Sequence, residues 1–472
     1  MDGGLRTVAV RGMVWTGAER VVTQALRFLL SVAMARLVAP ADYGVFVMLA
    51  VFLSVASAVQ DGGLASALIQ RRTTDDVDYS TVFWYGVAAS AILCAAFAVA
   101  APAIARFYGV PEVASVARVA SLGLLAGALG AVHNTRLVVA MRFRALAAIS
   151  VASLVVSGVV GLVLAWRGWG AWALAWQSVA GSAAGTALAW VAERWRPRTA
   201  FSTRAFRDLF GFGWKLLASG FVSSVYTNIH GLVVGKAFGA AAAGHYNRAY
   251  SFAGNPAEAL SAVVLKVNYP LLSGMQDDAA RLAAAYRRLV SAAASLVLPA
   301  LLVLAVAAEP AVEALVGEKW LPCASLLRIL CLGLVWYPLA QVNQNALCVK
   351  GRSDLVLKLE LSKKGAAFVV LFAAVPFGVI GVCAGRAVCD LVEYAVNAVF
   401  AGRLVGYGLR AQLRDLAPAV ARGLVACAAA WFAMRFFAAP WAKLAVAGAA
   451  TAAAVAVHTS VCSVSAKGCK EP

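Results

Sequence analysis

The sequence predicts an all-α polytopic membrane protein of about fourteen transmembrane helices: two six-helix lobes related by a parallel repeat, plus two C-terminal helices. Three observations predict it. Of the 472 residues, 62% are hydrophobic and only 13% charged, against roughly 45–50% and about 25% in a soluble domain. The apolar residues run in blocks longer than the roughly 18 that separate a spanning helix from a core helix, and residues 87–105 carry no charge at all. Finally, "RLVAPADYG" (36–44) and "KAFGAAAAG" (236–244) share one cadence half a chain apart: a basic residue, an apolar pair, small residues and a closing glycine in register.

In chain order the spans read 14–36, 43–68, 80–101, 117–140, 145–165, 169–192, 211–236, 245–271, 289–308, 323–348, 359–377, 380–402, 417–437 and 441–461. The breaks carry turn residues, as in "YGVPE" (108–112), "WRGWG" (166–170) and "VPFGV" (375–379). The N-terminal lobe is 1–192 (helices 1–6), a basic linker is 193–210, the C-terminal lobe is 211–402 (helices 7–12), and 403–472 holds helices 13 and 14 and the tail. Arg6 and Arg11 lead into a stretch too long for a cleaved h-region, so the first span is expected to be retained. Six helices separate the echoing segments, so helices one and seven enter the membrane from the same side, as a parallel repeat requires. Each glycine-closed segment reads as a tight turn into the next helix.

Basic residues concentrate in alternate loops, among them Arg142 and Arg144, Arg194 to Arg207, Arg281 to Arg288, and Arg403 to Arg414. The opposite loops hold Arg106, Arg118, Arg167, Lys319, Arg435 and Lys443. By the positive-inside rule both termini are cytoplasmic, which an even helix count satisfies. The net charge of +19 is therefore a topology signal spread over short loops, and no nucleic-acid partner is expected. Nine cysteines without a CxxC or paired histidine ligands predict no metal site and no disulfide framework. There is no G-x-x-x-x-G-K-[ST] stretch, so no ATP hydrolysis, no cofactor and no enzyme activity are expected.

Function must come from the polar residues in the spans, which cost about 2.5–3.5 kcal/mol each on insertion scales and normally face an interior or a watery cavity. Helix one carries Glu19, and its Arg20, Gln24, Arg27 and Ser31 follow the i, i+4, i+7, i+11 series of one face; helix two continues with Ser54, Ser57 and Asp61. Helix seven aligns Lys215, Ser219, Ser223, Tyr226 and His230, and helix eight aligns Arg248, Ser251, Asn255 and Glu258. These four helices are expected to line a cavity between the halves, with Arg20, Arg27, Lys215 and Arg248 as its basic surface and Gln24 and Asn255 as neutral donors. Arginine stays charged in a dry site and offers bidentate donors to phosphate. An anionic amphiphile, a lipid phosphate or pyrophosphate with a polar headgroup, fits such a lining. The bland alternative is that these cations pair with Glu19, Asp61 and Glu258 and hold helices together.

Asp61, Glu258, Asp390 and Glu393 are the candidate ion-coupling acids, carriers of H⁺ or Na⁺. Arg386, Asp390 and Glu393, spaced i, i+4, i+7, read as an ion-pair ladder. His133 and His230 are weaker proton carriers than hydrogen-bonded core residues. Glu360 with Lys364 reads as a structural pair, and "KLELSKKG" (358–365) as an amphipathic stretch in contact with anionic membrane lipids. Trp166, Trp169, Trp172 and Trp176 read as an interfacial belt.

"RLVAPADYGVFVMLA" (36–50), "QDGGLASALIQRRTTDDVDYSTVFW" (60–84), "MRFRALA" (141–147) and "AGHYNRAYSFAGNP" (243–256) carry a family resemblance. Over roughly residues 10–410 the chain resembles the polysaccharide transporter branch of the multidrug/oligosaccharidyl-lipid/polysaccharide flippase superfamily, most of all its colanic acid exporter-like and O-antigen flippases. The resemblance implies a two-lobed bundle in the bacterial inner membrane. It implies movement of undecaprenyl-pyrophosphate-linked oligosaccharide units from the cytoplasmic to the periplasmic leaflet by alternating access, coupled to H⁺ or Na⁺. Helices 13 and 14 match no family motif and are left as candidate contacts for a polysaccharide polymerase. The second-half counterpart of Pro40-Ala41-Asp42-Tyr43 is four alanines, so Asp42 has no duplicate.

Three rivals stand beside this reading. A multidrug or cation antiporter of the same superfamily calls for an acid-dominated lining. A peptidoglycan lipid-precursor flippase shares the basic lining and helix count but is disfavoured by "QRRTTDDVDYSTVFW" (70–84). A non-transporting scaffold needs no polar helix faces.

Overall fold

The computed structural model describes residues 22–71, 74–273, 275 and 278–468, and every regular element among them is helical. The helices are α1 (22–37), α2 (Pro40–Asp61), α3 (Leu64–Gln70), α4 (Asp76–Tyr108), α5 (Glu112–Val139), α6 (Phe143–Trp166), α7 (Ala171–Ala192) and α8 (Thr203–Phe238). They continue with α9 (Ala240–Ser273), α10 (Ala279–Val306), α11 (Ala308–Val316), α12 (Pro322–Leu334), α13 (Tyr337–Val349), α14 (Ser353–Ala374), α15 (Gly378–Val405), α16 (Leu409–Met434) and α17 (Pro440–Gly468). With α2–α3 and α12–α13 each taken as one broken span and α11 as a connector, these follow the fourteen expected spans. By length and composition alone, nine stretches among the described residues are long and apolar enough to cross a membrane. That tally merges α14 with α15, omits α7 and α9, whose small and polar residues dilute their hydropathy, and leaves out α1 and α17, whose described stretches are too short.

The chain forms two compact units that divide between Gly244 and His245. The helix α8 lies along α2 and belongs to the first unit. There α4 packs on α5, and α7 on both α5 and α6. In the second unit α10 packs on α16, α12 and α13 on α15, and α16 on α17. Between apolar helices in lipid, association comes from close packing and interhelical hydrogen bonds. Small residues supply the closeness: Gly130 abuts Thr186, and Gly161 abuts Gln177.

The echoing segments find their reason in this packing. The expected turn at Pro40–Gly44 is instead the first turn of α2, since proline at the start of a helix loses only an N–H that has no intrahelical partner. Gly44 and Gly244 do not close helices. A methyl group on Gly44 would overlap the Ala240 carbonyl, and one on Gly244 would overlap the Pro40 carbonyl. The pairing is reciprocal, with 40 and 44 meeting 244 and 240, which is the signature of a two-fold contact. Each glycine recurs because its partner's backbone stands where a side chain would be.

The basic linker is likewise ordered. Residues 193–202 lie along the first turns of α4. Asp76 accepts from Trp195 Nε1 at 3.1 Å and from Arg198 Nη2 at 2.9 Å; Ser80 Oγ accepts from Arg198 N at 3.0 Å; Thr81 Oγ1 accepts from Ser202 N at 3.1 Å. Trp84 Nε1 donates to Arg198 O at 2.8 Å. Ser202 then caps α8 by accepting from Ala205 N, so α8 starts eight residues before the expected 211.

Candidate functional site

In the first unit, Gln24 and Arg27 of α1 and Lys215, Ser219 and Ser223 of α8 are exposed, while His230 is buried. Arg20 and Glu19 lie outside the described residues. Asn228 Nδ2 donates to Ser54 Oγ at 3.1 Å and ties α8 to α2. Asp61 is exposed and accepts from Gly63 N at 3.2 Å, capping the break between α2 and α3. His133 is buried, its Nε2 3.2 Å from Trp195 O and its ring stacked on Trp190 at 4.5 Å. It anchors the linker.

The second unit holds the densest intramembrane charge. Arg386, in the first half of α15, lies 3.5 Å from Asp390 and donates from Nη2 to Tyr250 Oη at 3.4 Å, with its guanidinium 5.0 Å from the Tyr250 ring centre. Asp390 is 8% exposed, and its Oδ2 is buried without a hydrogen-bond partner among the described residues. Gly333 of α12 makes room for it, since a methyl there would stand 3.2 Å from that oxygen and closer still to Ala387. The Arg386–Tyr250 contact joins α15 to α9, and α13 packs on α15, so α9, α13 and α15 converge here. Asn255 and Glu258 are exposed on α9. Arg248 is buried, with its guanidinium 5.0 Å from the Trp320 ring centre.

The expected ladder on α15 forms only its first rung. Seven residues along a helix is a rise of about 10.5 Å, and Glu393 turns to a different partner. Lys363 of α14, which sequence reasoning passed over, lies 3.2 Å from Glu393 Oε1, 2.7 Å from Glu360 Oε1 and 3.1 Å from Asn397 Oδ1. Its side chain is 10% exposed. Gln344 of α13 donates to the same Glu360 oxygen at 3.3 Å. The expected Glu360–Lys364 pair is present at 3.5 Å but is the longer of the two contacts Glu360 makes with lysine. One ammonium thus gathers three oxygens from two helices, and one carboxylate oxygen a helical turn away is left over. Such a cluster can hold a cation or a proton, and it can shift which helices it ties together when it does.

A bundle of fourteen helical spans with paired charges buried in several of them defines a polytopic membrane protein of the transporter type. Residues 33–325 match the family described as polysaccharide biosynthesis protein, and the chain belongs to that family. Among curated relatives, the lipopolysaccharide biosynthesis protein WzxC of Escherichia coli (strain K12) is 25% identical over 76% of this chain and 73% of its own. The succinoglycan biosynthesis transport protein ExoT of Rhizobium meliloti (strain 1021) is 26% identical over 68% of this chain and 65% of its own. Among solved structures, the lipid II flippase MurJ in an inward closed conformation superposes with a TM-score of 0.75, covering 95% of this chain and 98% of its own, at 13% identity. That likeness is one of fold.

Proposed function

We infer that the chain is a flippase of polysaccharide biosynthesis, moving undecaprenyl-pyrophosphate-linked oligosaccharide units across the bacterial inner membrane by alternating access. The observation that carries this reading is the family match over residues 33–325 on a transporter-type bundle. The exposed Gln24 and Arg27 of α1 and Lys215 of α8 are the residues we assign to the pyrophosphate. Arg20, Arg248 and Asn255 complete the assignment, Arg248 through a buried position that a change of state would have to open. The chain carries no reaction chemistry in this reading; it binds and re-exposes. Two six-helix lobes, 1–192 and 211–402, are the moving parts we assign, with 193–210 joining them and 403–472 available to a polymerase. Both termini face the cytoplasm.

Coupling to H⁺ or Na⁺ is assigned to Asp390 and Glu258 around Arg386, with Glu393 and Asp61 as further acids. The unpartnered Asp390 oxygen supports this choice, since a proton or cation there would find a ready acceptor.

The test is a deletion strain complemented with wild type, R27A, K215A and R248A, each checked for membrane abundance. Wild type is expected to clear an accumulated pool of lipid-linked oligosaccharide and restore surface polysaccharide, and the variants to clear it at least tenfold more slowly. Unchanged pools together with altered drug tolerance would overturn the reading in favour of the antiporter. A reporter fused to the C-terminus checks orientation.

A further inference from the structure

A groove of about 800 Å³ opens between α10 and the turn that joins α15 to α16. Its walls are Ala283, Ala284, Arg287, Arg288 and Ser291 on one side and Tyr407 on the other. None of these residues is assigned above to the transported substrate or to a coupling ion, so the groove stands independently of that assignment.

Its depth in the membrane follows from sequence. Residues 289–306 of α10 carry no charge and rise about 27 Å at 1.5 Å per residue, close to the roughly 30 Å of a bilayer core. Arg287 and Arg288 therefore stand at the headgroup level. On α16, Arg410 and Arg414 precede the apolar run at the same end, because the start of α16 packs on this part of α10.

The wall behind the groove is built from a buried polar network. Gln412, fully buried, shares its two Nε2 hydrogens among Tyr286 Oη at 3.1 Å, Asn343 Oδ1 at 3.1 Å and Tyr407 O at 3.2 Å, and accepts from Tyr394 Oη at 3.2 Å. Tyr286 donates to Asn343 as well, and its ring meets Tyr407 edge-on at 5.6 Å. Four side-chain and backbone groups bonded around one buried amide in a low-dielectric interior fix geometry, even with Asn343 Nδ2 left without a partner among the described residues. It holds the turn away from α10, while alanines on α10 leave the space between unfilled.

The charge at the rim is positive. Asp415 is the one acid in 409–422, and Arg287 occupies it through Nε at 2.6 Å and Nη2 at 2.8 Å while Tyr407 Oη donates to it at 2.8 Å. Arg288, Arg410 and Arg414 add positive charge with no further acid on either wall. A planar guanidinium at headgroup depth, with Ser291 and Ala292 of the same groove one turn deeper, suits a phosphodiester with acyl chains below it.

We propose that the groove between Arg288 of α10 and the Gly406–Tyr407 turn is a binding site for the phosphate headgroup of an anionic phospholipid. The test is native mass spectrometry of the full chain exchanged into dioleoyl phosphatidylglycerol or dioleoyl phosphatidylcholine. Wild type is expected to retain the anionic lipid at least fivefold better. R288Q removes one membrane-facing cation and should weaken retention about fivefold, R288K should keep most of it, and A284L should abolish it by filling the slot without altering charge. Size-exclusion profiles matching wild type show that each variant folds. Equal retention of the two lipids, or R288Q and A284L behaving as wild type, would overturn the proposal. So would displacement by inorganic phosphate, or by undecaprenyl pyrophosphate at lower concentration than the phospholipid, which would give the groove to a free anion or to the transported substrate.

Discussion

Replacing Lys363 by methionine keeps the stem that packs between α14 and α15 and removes only the ammonium. Three charge-assisted contacts disappear, to Glu360 at 2.7 Å, Asn397 at 3.1 Å and Glu393 at 3.2 Å. Two limits bracket the cost. Interhelical hydrogen bonds in membrane proteins average about 0.6 kcal/mol in double-mutant cycles, so three give about 2 kcal/mol. Removing one partner of a fully buried ion pair costs about 3–5 kcal/mol, but Glu360 and Glu393 are 24% and 22% exposed and keep some solvation. The expected loss is thus about 2–3 kcal/mol, read as a shift in the sodium dodecyl sulfate unfolding curve of the purified protein in mixed micelles. E393Q in the K363M background should recover at least 1 kcal/mol, because it removes the stranded charge. If K363M unfolds within about 0.5 kcal/mol of wild type and the double variant is additive, the ammonium does not hold these helices together.

Three further substitutions probe the first unit. G44A places a methyl group in the Ala240 carbonyl and is expected to destabilise by about 1–3 kcal/mol, as overpacking does. G86A, with nothing within 4 Å of its new methyl, should be neutral or stabilise by up to about 1 kcal/mol in the same detergent unfolding assay. Equal effects of the two would refute the close contact. D76A removes the acceptor shared by Trp195 and Arg198. The Arg198 pair is largely exposed and contributes little, so most of the expected loss of about 1 kcal/mol comes from the indole. Trypsin cleavage after Arg198 should accelerate several-fold, and an unchanged cleavage rate would mean the linker is held by its other contacts.

The fourteen spans were legible because hydropathy over twenty residues is a property of each helix alone. What sequence could not supply were pairings across helices. The α15 periodicity proposed one ladder, but spacing says only that residues share a face, and Glu393 meets Lys363, thirty positions earlier on another helix. Lys363 itself was hidden in "KLELSKKG", where two adjacent lysines look equally solvated. Adjacent positions on a helix point about 100° apart, and the side chain of Lys363 is 10% exposed while that of Lys364 is 30%. The echo of residues 36–44 at 236–244 was visible as register. Its cause was not, because a glycine required by a neighbouring backbone and a glycine required by a turn look alike in sequence.

The halves share a scaffold and differ in charge. Their reciprocal glycine contact is symmetric, whereas the residues beside it are not, Asp42 standing opposite alanine in the repeat. The difference is larger deeper in the membrane. The sixth span, α7, carries no charged residue, and its neighbour α6 meets it through Ser157 donating to Gln177 O at 3.0 Å. The twelfth span, α15, carries Arg386, Asp390 and Glu393, and its neighbour α14 brings Glu360, Lys363 and Lys364. Intramembrane charge is costly wherever it sits, so a repeat under no further demand would keep both pairs as apolar as α6 and α7. The first pair shows that neutral packing is sufficient to join two such helices. The charges of α14 and α15 therefore do more than a neutral contact requires, and the cation or proton coupling proposed above should be tested there first.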